Sequence, residues 1–145
     1  RFVQSSAKTG TIDQMVRDVT QVARAAKLGD HTIIDARAAA RFRGDAPEPR
    51  EGLRAGHIPG SINLPFGELL NDDGTMKPAN TLRTLFNDAG ADLTKPVITT
   101  CGSGVTAAVL ALALERIGKT DHSVYDGSWS EWGMYDDLPI ATGPR

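Results

Sequence analysis

Short apolar runs alternate along the chain with longer segments in which apolar residues recur every three or four positions. The short runs, rich in Ile, Val and Thr, predict buried strands, whereas the longer segments predict amphipathic helices. The predicted strands span 32–35, 61–64, 96–100 and 123–125. The predicted helices span 11–28, 38–42, 66–70, 79–89 and 105–117, and a last helix follows the turn at 126–128. This alternation predicts an α/β fold in which one parallel sheet is flanked by helices on both faces.

The first predicted helix carries signals at both of its ends. Thr11 is the expected N-cap and Gln14, three residues on, completes a capping box, while a glycine ends the helix. Residues 1–10 are polar and predict a linker or a disordered lead-in. We therefore expect a domain over 11–138, followed by a tail over 139–145.

Composition and charge narrow the class of protein. With 145 residues the chain is long enough for one domain with a proper core. Its net charge of −2 indicates neither a nucleic-acid nor a membrane partner, and a hydrophobic share of 40% is ordinary for a globular protein. The single cysteine excludes an internal disulfide, and the three histidines lack metal-ligand spacing, so we predict no metal and no cofactor. No apolar run is long enough to span a bilayer and no signal peptide is present, so we expect a cytoplasmic protein.

The only cysteine, Cys101, lies in a turn between a predicted strand and a predicted helix. Gly102 and Gly104 tolerate backbone angles that other residues resist, so we expect the turn to curl with its N–H groups directed inward. The helix that follows directs the positive end of its dipole to the same point. Such surroundings favour a thiolate, and a thiolate in a strand-to-helix turn is a nucleophile. The alternative is a buried, inert cysteine that packs as a small hydrophobe.

Four arginines surround a segment that is predicted to be a surface loop. Residues 43–53 contain two glycines and two prolines, a composition that excludes a strand or a helix. Arg41, Arg43, Arg50 and Arg54 lie in or beside this loop. They form either a solvated basic patch or, for two of them, a pair that folds over the active site and binds an anionic substrate by paired hydrogen bonds. The residues alone leave both possibilities open.

Several other polar residues are predicted to be structural. Asp35, at the end of a strand, is expected to cap loop amides or to pair with an arginine, and Arg37 is expected to be an ion-pair partner. His57 is expected to orient a turn through backbone hydrogen bonds, because it has no metal partner and no acidic relay. Ser128 or Asp126 is the expected cap of the last helix. The two tryptophans of that helix are expected to pack in the core or to line the pocket rim.

Four segments, in this order along the chain, carry a family likeness. They are Asp35-Ala36-Arg37, Gly56-His57-Ile58-Pro59-Gly60-Ser61-Ile62-Asn63, Cys101-Gly102-Ser103-Gly104-Val105-Thr106-Ala107 and Tyr125-Asp126-Gly127-Ser128-Trp129-Ser130-Glu131-Trp132. Together they resemble the rhodanese family and, more narrowly, the C-terminal, catalytic domain of its 3-mercaptopyruvate sulfurtransferases. The likeness runs from about residue 12 to residue 132. It implies a single rhodanese-like domain that transfers sulfur.

The resemblance implies a mechanism that depends on Cys101. Its thiolate attacks the sulfur of the donor and becomes a persulfide, and pyruvate leaves as its enolate. The persulfide sulfur then passes to a small thiol, to thioredoxin or to cyanide. Arg41 and Arg50 are implied to hold the carboxylate and the carbonyl of the donor.

The loop after the cysteine has two further implied tasks. The backbone amides of Gly102, Gly104 and Val105 would stabilise negative charge on sulfur, as an oxyanion hole does. Ser103 and Thr106 would add hydroxyl donors or relay a proton, although Thr106 is also a candidate helix cap. Relatives that prefer thiosulfate carry basic residues directly after the cysteine, whereas Gly102 and Ser103 are neutral. The resemblance therefore implies 3-mercaptopyruvate as the donor and thiosulfate as a poorer one.

Two other functions stay open beside this sulfurtransferase: a thiosulfate sulfurtransferase, and a non-catalytic rhodanese module used for binding. A cysteine phosphatase is disfavoured, because it needs an arginine six residues after the cysteine and Ala107 stands there. The family enzyme has two rhodanese-like domains, and the N-terminal one is not part of this sequence, which does not begin with Met. We therefore expect the native protein to be longer.

Overall fold

The computed structural model describes residues 16–103 and 105–144. Within them the strands are β1 (Val16–Arg17), β2 (Thr32–Asp35), β3 (Ile62–Asn63), β4 (Val97–Thr100) and β5 (His122–Tyr125). The helices are α1 (Val19–Leu28), α2 (Ala39–Arg43), α3 (Ala79–Asp88), α4 (Ala107–Arg116) and α5 (Ser128–Trp132), and a 3₁₀ helix spans Phe66–Leu69. None of the described helices combines the length and the apolar character that crossing a membrane requires.

All paired strands of the described sheet run parallel, in the order β1-β5-β4-β2-β3. The register aligns Asp35 of β2 with Thr100 of β4 on one side and with Asn63 of β3 on the other. The carboxyl ends of three neighbouring strands therefore lie at one edge, and Cys101 follows directly after one of them. In a parallel sheet covered by helices, that edge is where ligands bind.

Helices cover both faces of the sheet, because successive strand residues point to opposite sides and enter two separate cores. One core contains Ile34 of β2 together with apolar side chains of α3 and α4. The other contains Ile33 of the same strand together with side chains of α1 and α5. Trp129 and Trp132 of α5 are buried in this second core. The predicted α/β fold, with a parallel sheet and helices on both faces, is confirmed.

The segment Val16–Arg17 is a strand, which corrects the prediction of a continuous helix over 11–28. Arg17 pairs with Tyr125 of β5, and its Nε donates a hydrogen bond of 3.0 Å to the Ser123 hydroxyl. Apolar spacing near the start of a helix does not reveal such pairing, because the partner strand lies more than a hundred residues away.

A capping box begins the first helix, but at a later position than predicted. Asp18 is the N-cap of α1: its carboxylate accepts the backbone N–H of Gln21 at 2.8 Å, and the Gln21 side chain accepts the N–H of Asp18 at 2.9 Å. Thr11 and Gln14, the predicted box, lie outside the described residues. The reciprocal pair of hydrogen bonds satisfies two backbone donors and separates β1 from α1.

Two further helix starts differ from the prediction. α4 begins at Ala107, and Val105 lies in the turn before it. The N-cap of α5 is Gly127, with no side-chain cap hydrogen bond, so neither Ser128 nor Asp126 caps this helix. The hydroxyl of Ser128 has other partners, which belong to the candidate site.

The segment 139–143, predicted as a tail, is hydrogen-bonded to loops of the domain. Ala141 exchanges two backbone hydrogen bonds of 2.9 Å with His57, and the N–H of Gly143 donates to a carbonyl at the end of α2. Gly56 permits this close approach: its φ is +129°, and a Cβ there would stand 2.5 Å from the carbonyl oxygen of Ala141. This segment therefore packs against the loop that precedes β3.

Candidate active site

A cavity of about 620 Å³ lies beside the residues that follow β2 and β4. Its lining includes five residues that the sequence singled out: Arg41, Arg50, Gly102, Ser103 and Thr106. Val105 is not part of this lining and is 74% exposed. Gly104 lies outside the described residues. The fold thus brings the two predicted substrate-binding arginines and the loop after the cysteine to one cavity.

Cys101 stands between β4 and the cavity-lining Gly102. Only 1% of the residue is exposed, and it packs in the core that contains α4. Its backbone N–H donates to the Ser128 hydroxyl at 3.1 Å, and its carbonyl accepts the N–H of Trp129 at 2.9 Å. The cysteine is therefore shielded from bulk water and fixed at the sheet edge. The predicted inward curl of the loop amides stays a prediction.

The side chain of Ser128 lies beside the sulfur of Cys101, a position that the sequence did not predict. Its hydroxyl lies 3.9 Å from Sγ of Cys101, within 3.3 Å of the Thr100 hydroxyl, and 2.9 Å from the Tyr125 carbonyl. A hydroxyl has one proton, so it donates either to that carbonyl or to the sulfur. Ser128 also has a φ of +52°, an uncommon value for a residue other than glycine. This conformation places the Ser128 hydroxyl next to the backbone N–H and the sulfur of Cys101, where it does not cap the helix.

Gly102 serves a purpose different from the predicted one. Its φ is not in the left-handed region, so the expectation that it supplies an unusual backbone angle is wrong. Instead it leaves space, because a Cβ at this position would stand 2.8 Å from Nη2 of Arg41. Glycine therefore lets the Arg41 guanidinium lie against the cysteine loop. The Gly102 carbonyl also accepts the N–H of Ser130 at 2.8 Å, which ties the loop to α5.

Asp35 and Arg37 form a buried ion pair at the end of β2, as predicted. The Asp35 carboxylate accepts the backbone N–H of Arg37 at 2.9 Å, its Nε at 3.1 Å and its Nη2 at 2.8 Å. Nη2 also donates to the Gly56 carbonyl at 2.7 Å. The guanidinium lies 4.7 Å from the centre of the Trp129 ring, a cation–π contact. Arg37 is thus held from several sides and is a structural residue.

Glu48 joins this ion pair to Arg41. Its side chain is 1% exposed, and its carboxylate accepts hydrogen bonds from Arg37 and Arg41. The pKa of Arg41 is raised above its ordinary value, mainly by the hydrogen bond to Glu48. The residue pattern around Glu48 does not predict this role. Its one signal is a pair of flanking prolines, Pro47 and Pro49, which restrict the backbone of this segment.

The other two arginines of the loop do not line the cavity. Arg43 and its partner Asp45 form an exposed ion pair of 3.5 Å, the behaviour expected of a solvated charge. The Arg54 guanidinium donates to the backbone carbonyls of Gly133 at 3.2 Å and Leu138 at 3.1 Å, and also to those of Trp132 and Tyr135. Of the four arginines, Arg41 and Arg50 line the cavity, and their binding of an anionic substrate stays a prediction.

His57 orients a turn, as predicted. Its Nδ1 lies 2.7 Å from the carbonyl oxygen of Phe42, and its ring stacks on the Phe42 ring at 3.7 Å. Burial lowers the pKa of His57, and its Nε2 has no hydrogen-bond partner among the described residues. Within the same part of the chain, no cluster of three or more acidic, histidine or cysteine side chains has the arrangement of a metal site.

Comparison with known proteins identifies the family. Residues 18–135, most of the chain, match the family described as the rhodanese-like domain. The chain belongs to the rhodanese family. The rhodanese domain includes every site residue described above, and the likeness stated from the four sequence segments is confirmed.

This rhodanese domain is similar to parts of longer proteins. It is 52% identical over 107 residues to thiosulfate/3-mercaptopyruvate sulfurtransferase 1, mitochondrial, of Arabidopsis thaliana, covering 74% of this chain and 28% of that protein. It is 47% identical over 127 residues to the 3-mercaptopyruvate sulfurtransferase of Escherichia coli strain K12, covering 88% of this chain and 45% of that one. The crystal structure of the Tum1 protein of Saccharomyces cerevisiae matches it with a TM-score of 0.82 at 35% identity, covering 92% of this chain and 48% of that chain. The chain thus spans less than half the length of these relatives.

Proposed function

We propose that this rhodanese domain is a sulfurtransferase that takes sulfur from 3-mercaptopyruvate and passes it, through a persulfide on Cys101, to a thiol acceptor. One observation carries the proposal: the only thiol of the chain adjoins a cavity lined by Arg41 and Arg50. Cations that line a cavity next to a nucleophile suit a small donor that carries a carboxylate. The names of the two sulfurtransferase relatives support the same donor.

The proposed reaction needs no oxidant from outside. The Cys101 thiolate attacks the thiol sulfur of 3-mercaptopyruvate, an S–S bond forms, and the C–S bond of the donor breaks. The electron pair of that bond leaves on the pyruvate enolate, which takes up a proton and becomes pyruvate. The donor's thiol proton stays on the sulfur that is transferred or goes to solvent. The thiolate of the acceptor then attacks the outer sulfur, the S–S bond of the persulfide breaks, the acceptor becomes a persulfide, and the Cys101 thiolate is restored.

The side chains around the cavity fit separate parts of this reaction. Arg41 and Arg50 would bind the carboxylate and the carbonyl oxygen, which gains charge as the enolate forms. Ser103 and Thr106 also line the cavity, where their hydroxyl groups would contact the substrate. The Ser128 hydroxyl lies close enough to the sulfur to stabilise a thiolate from the buried side.

Thiosulfate is the second candidate donor. The Arabidopsis relative is named for both donors, and two arginines also suit a doubly charged oxyanion. The neutral residues Gly102 and Ser103, directly after the cysteine, favour the carboxylate donor. The thiol acceptor, thioredoxin for instance, and a second rhodanese-like domain on the N-terminal side are parts of the same proposal.

Intact-protein mass spectrometry together with a pyruvate assay tests the proposal. The wild-type chain is incubated with 3-mercaptopyruvate, and separately with thiosulfate, and compared with Cys101→Ala. We expect wild type to release pyruvate and to gain the mass of one sulfur atom, which a thiol such as dithiothreitol removes, whereas Cys101→Ala does neither. If wild type gains no sulfur from either donor, even when joined to an N-terminal rhodanese-like domain, the domain is a binding module. A gain from thiosulfate alone would make thiosulfate the donor.

A further inference from the structure

We propose that Glu48 is a positioning residue, which orients Arg41 so that a defined edge of its guanidinium faces the substrate carboxylate. This inference rests on the proposed function, because it assigns Arg41 to the donor. It concerns a carboxylate that lines the same cavity as Arg41 and Arg50 but that the reaction itself does not use.

The geometry of the Glu48–Arg41 contact leaves one edge of the guanidinium open. Oε1 of Glu48 accepts Nη2 of Arg41 at 2.7 Å, and Oε2 accepts Nε at 3.4 Å. This side-on contact uses two of the five N–H donors of the arginine. Both N–H groups of Nη1 and one of Nη2 make no hydrogen bond to the residues that the structure describes. A carboxylate that approaches end-on needs one donor from each of these nitrogens, so the remaining edge can bind it with two hydrogen bonds.

Glu48 is itself fixed by the buried part of the domain. Its Oε2 accepts Nη1 of Arg37 at 3.3 Å, and Arg37 is bound by Asp35 and by the Gly56 carbonyl. The charges alternate along this chain of contacts, from Asp35 through Arg37 and Glu48 to Arg41. The first three side chains are 1% to 2% exposed, whereas Arg41 is 30% exposed. The rigid core of the domain therefore determines where the exposed guanidinium points.

Without the Glu48 carboxylate, the guanidinium groups of Arg37 and Arg41 would lose the negative charge that lies between them. Arg41 would then lose both side-chain hydrogen bonds that hold its present conformation, and Gly102 beside it offers space but no side chain. A long arginine side chain that is free to rotate loses entropy when it binds a ligand. We therefore expect the loss of Glu48 to weaken binding of the donor more than it slows the chemical step.

Steady-state kinetics of Glu48→Gln test this expectation against a matched control. Asp45→Asn is the control, because Asp45 belongs to the same loop and also pairs with an arginine, but in an exposed ion pair. For Glu48→Gln we expect the KM for 3-mercaptopyruvate to rise about ten- to a hundredfold, the range for a charge-assisted hydrogen bond, while kcat changes less than about threefold. Glu48→Asp, which keeps the charge, should recover part of the affinity. Asp45→Asn should leave both constants within about twofold.

Calorimetric titration with pyruvate separates this inference from the proposed function. Pyruvate carries the same carboxylate and binds without turnover, so its Kd should rise in Glu48→Gln in parallel with KM. Failure to release pyruvate from the donor, even when the chain is joined to an N-terminal rhodanese-like domain, refutes the proposed function, and the pyruvate Kd then decides the role of Glu48. The inference is overturned if folded Glu48→Gln and Glu48→Asp keep the wild-type KM and pyruvate Kd, or if they lose only kcat or only thermal stability. If Glu48→Gln does not fold, the same criteria apply to Glu48→Asp.

Discussion

Replacing Gly102 by alanine tests how closely Arg41 must approach the cysteine loop. The added methyl group would stand 2.8 Å from Nη2 of Arg41, whereas an ordinary contact begins at 3.4 Å. The tip of the arginine must therefore retreat by roughly 0.6 Å, since the atom that gives way is the far end of a flexible side chain. The Nε contact to Glu48, already 3.4 Å long, would not survive this displacement.

The expected loss is in substrate binding and not in folding. Arg41 is 30% exposed, so the lost hydrogen bond is discounted for solvent screening and amounts to about 1–2 kcal/mol, a factor of about 5–30 in affinity. We expect Gly102→Ala to raise the KM for 3-mercaptopyruvate by that factor. The free energy of unfolding should change by less than about 1 kcal/mol, because glycine has no positive φ here and the moving group is at the surface.

A control and a double-mutant cycle identify the cause. Gly67→Ala is the control, because that position lies in the 3₁₀ helix beside the cavity and a Cβ there would meet nothing within 4 Å. In an Arg41→Ala background, Gly102→Ala should have no further effect on KM, since the displaced group is gone. If the rise in KM persists in that background, the methyl group obstructs the donor directly. If Gly102→Ala and Gly67→Ala have the same KM for 3-mercaptopyruvate, the close approach of Arg41 does not affect binding, and the reasoning is refuted.

Two further predictions concern stability. Asp35→Asn leaves the buried guanidinium of Arg37 without a full counter-charge, so it should lower the free energy of unfolding in urea by about 3–5 kcal/mol. Asp45→Asn removes a carboxylate from an exposed ion pair and should change that free energy by less than about 0.5 kcal/mol. Equal losses in the two variants would contradict the burial argument. Burial lowers the pKa of His57 from its ordinary 6.5, so the unfolded chain binds a proton that the folded domain resists. The contribution of neutral His57 to the free energy of unfolding is therefore complete above about pH 6.5 and is lost as the pH falls through the folded pKa. In His57→Asn the urea midpoint should depend less on pH over that range than in wild type, and an equal dependence in both proteins would refute this.

The parts of this domain that could be predicted from sequence depend on local patterns. The strands β2 and β4 are runs of β-branched residues that bury both faces, and a central parallel strand has that composition. The Gly- and Pro-rich loop between α2 and β3 has no regular structure, and Arg50 of this loop and Arg41 of α2 line the cavity. The strand-turn-helix around Cys101 follows from the same local signals, although its helix begins at Ala107.

The remaining features depend on contacts between residues that are distant in sequence. β1 is two residues long and exists because β5 lies beside it. Ser128 reaches Cys101 across 27 positions, and only a left-handed backbone angle directs its hydroxyl there. The presence of glycine at position 102 does not by itself predict that the guanidinium of Arg41 lies against it. Glu48 contacts two arginines whose positions depend on how the loop folds, so its charge alone predicts only a solvated carboxylate.

The hydrogen bonds between α5 and the turn at Cys101 have a consequence for synthesis of the chain. The ribosome releases the turn well before α5, which supplies the Ser128 hydroxyl and the two N–H groups that hold it. During that interval the nascent thiol lacks the burial it later has, and it is more accessible to oxidants than in the finished domain. Cys101 therefore reaches its buried surroundings only after α5 has emerged and docked.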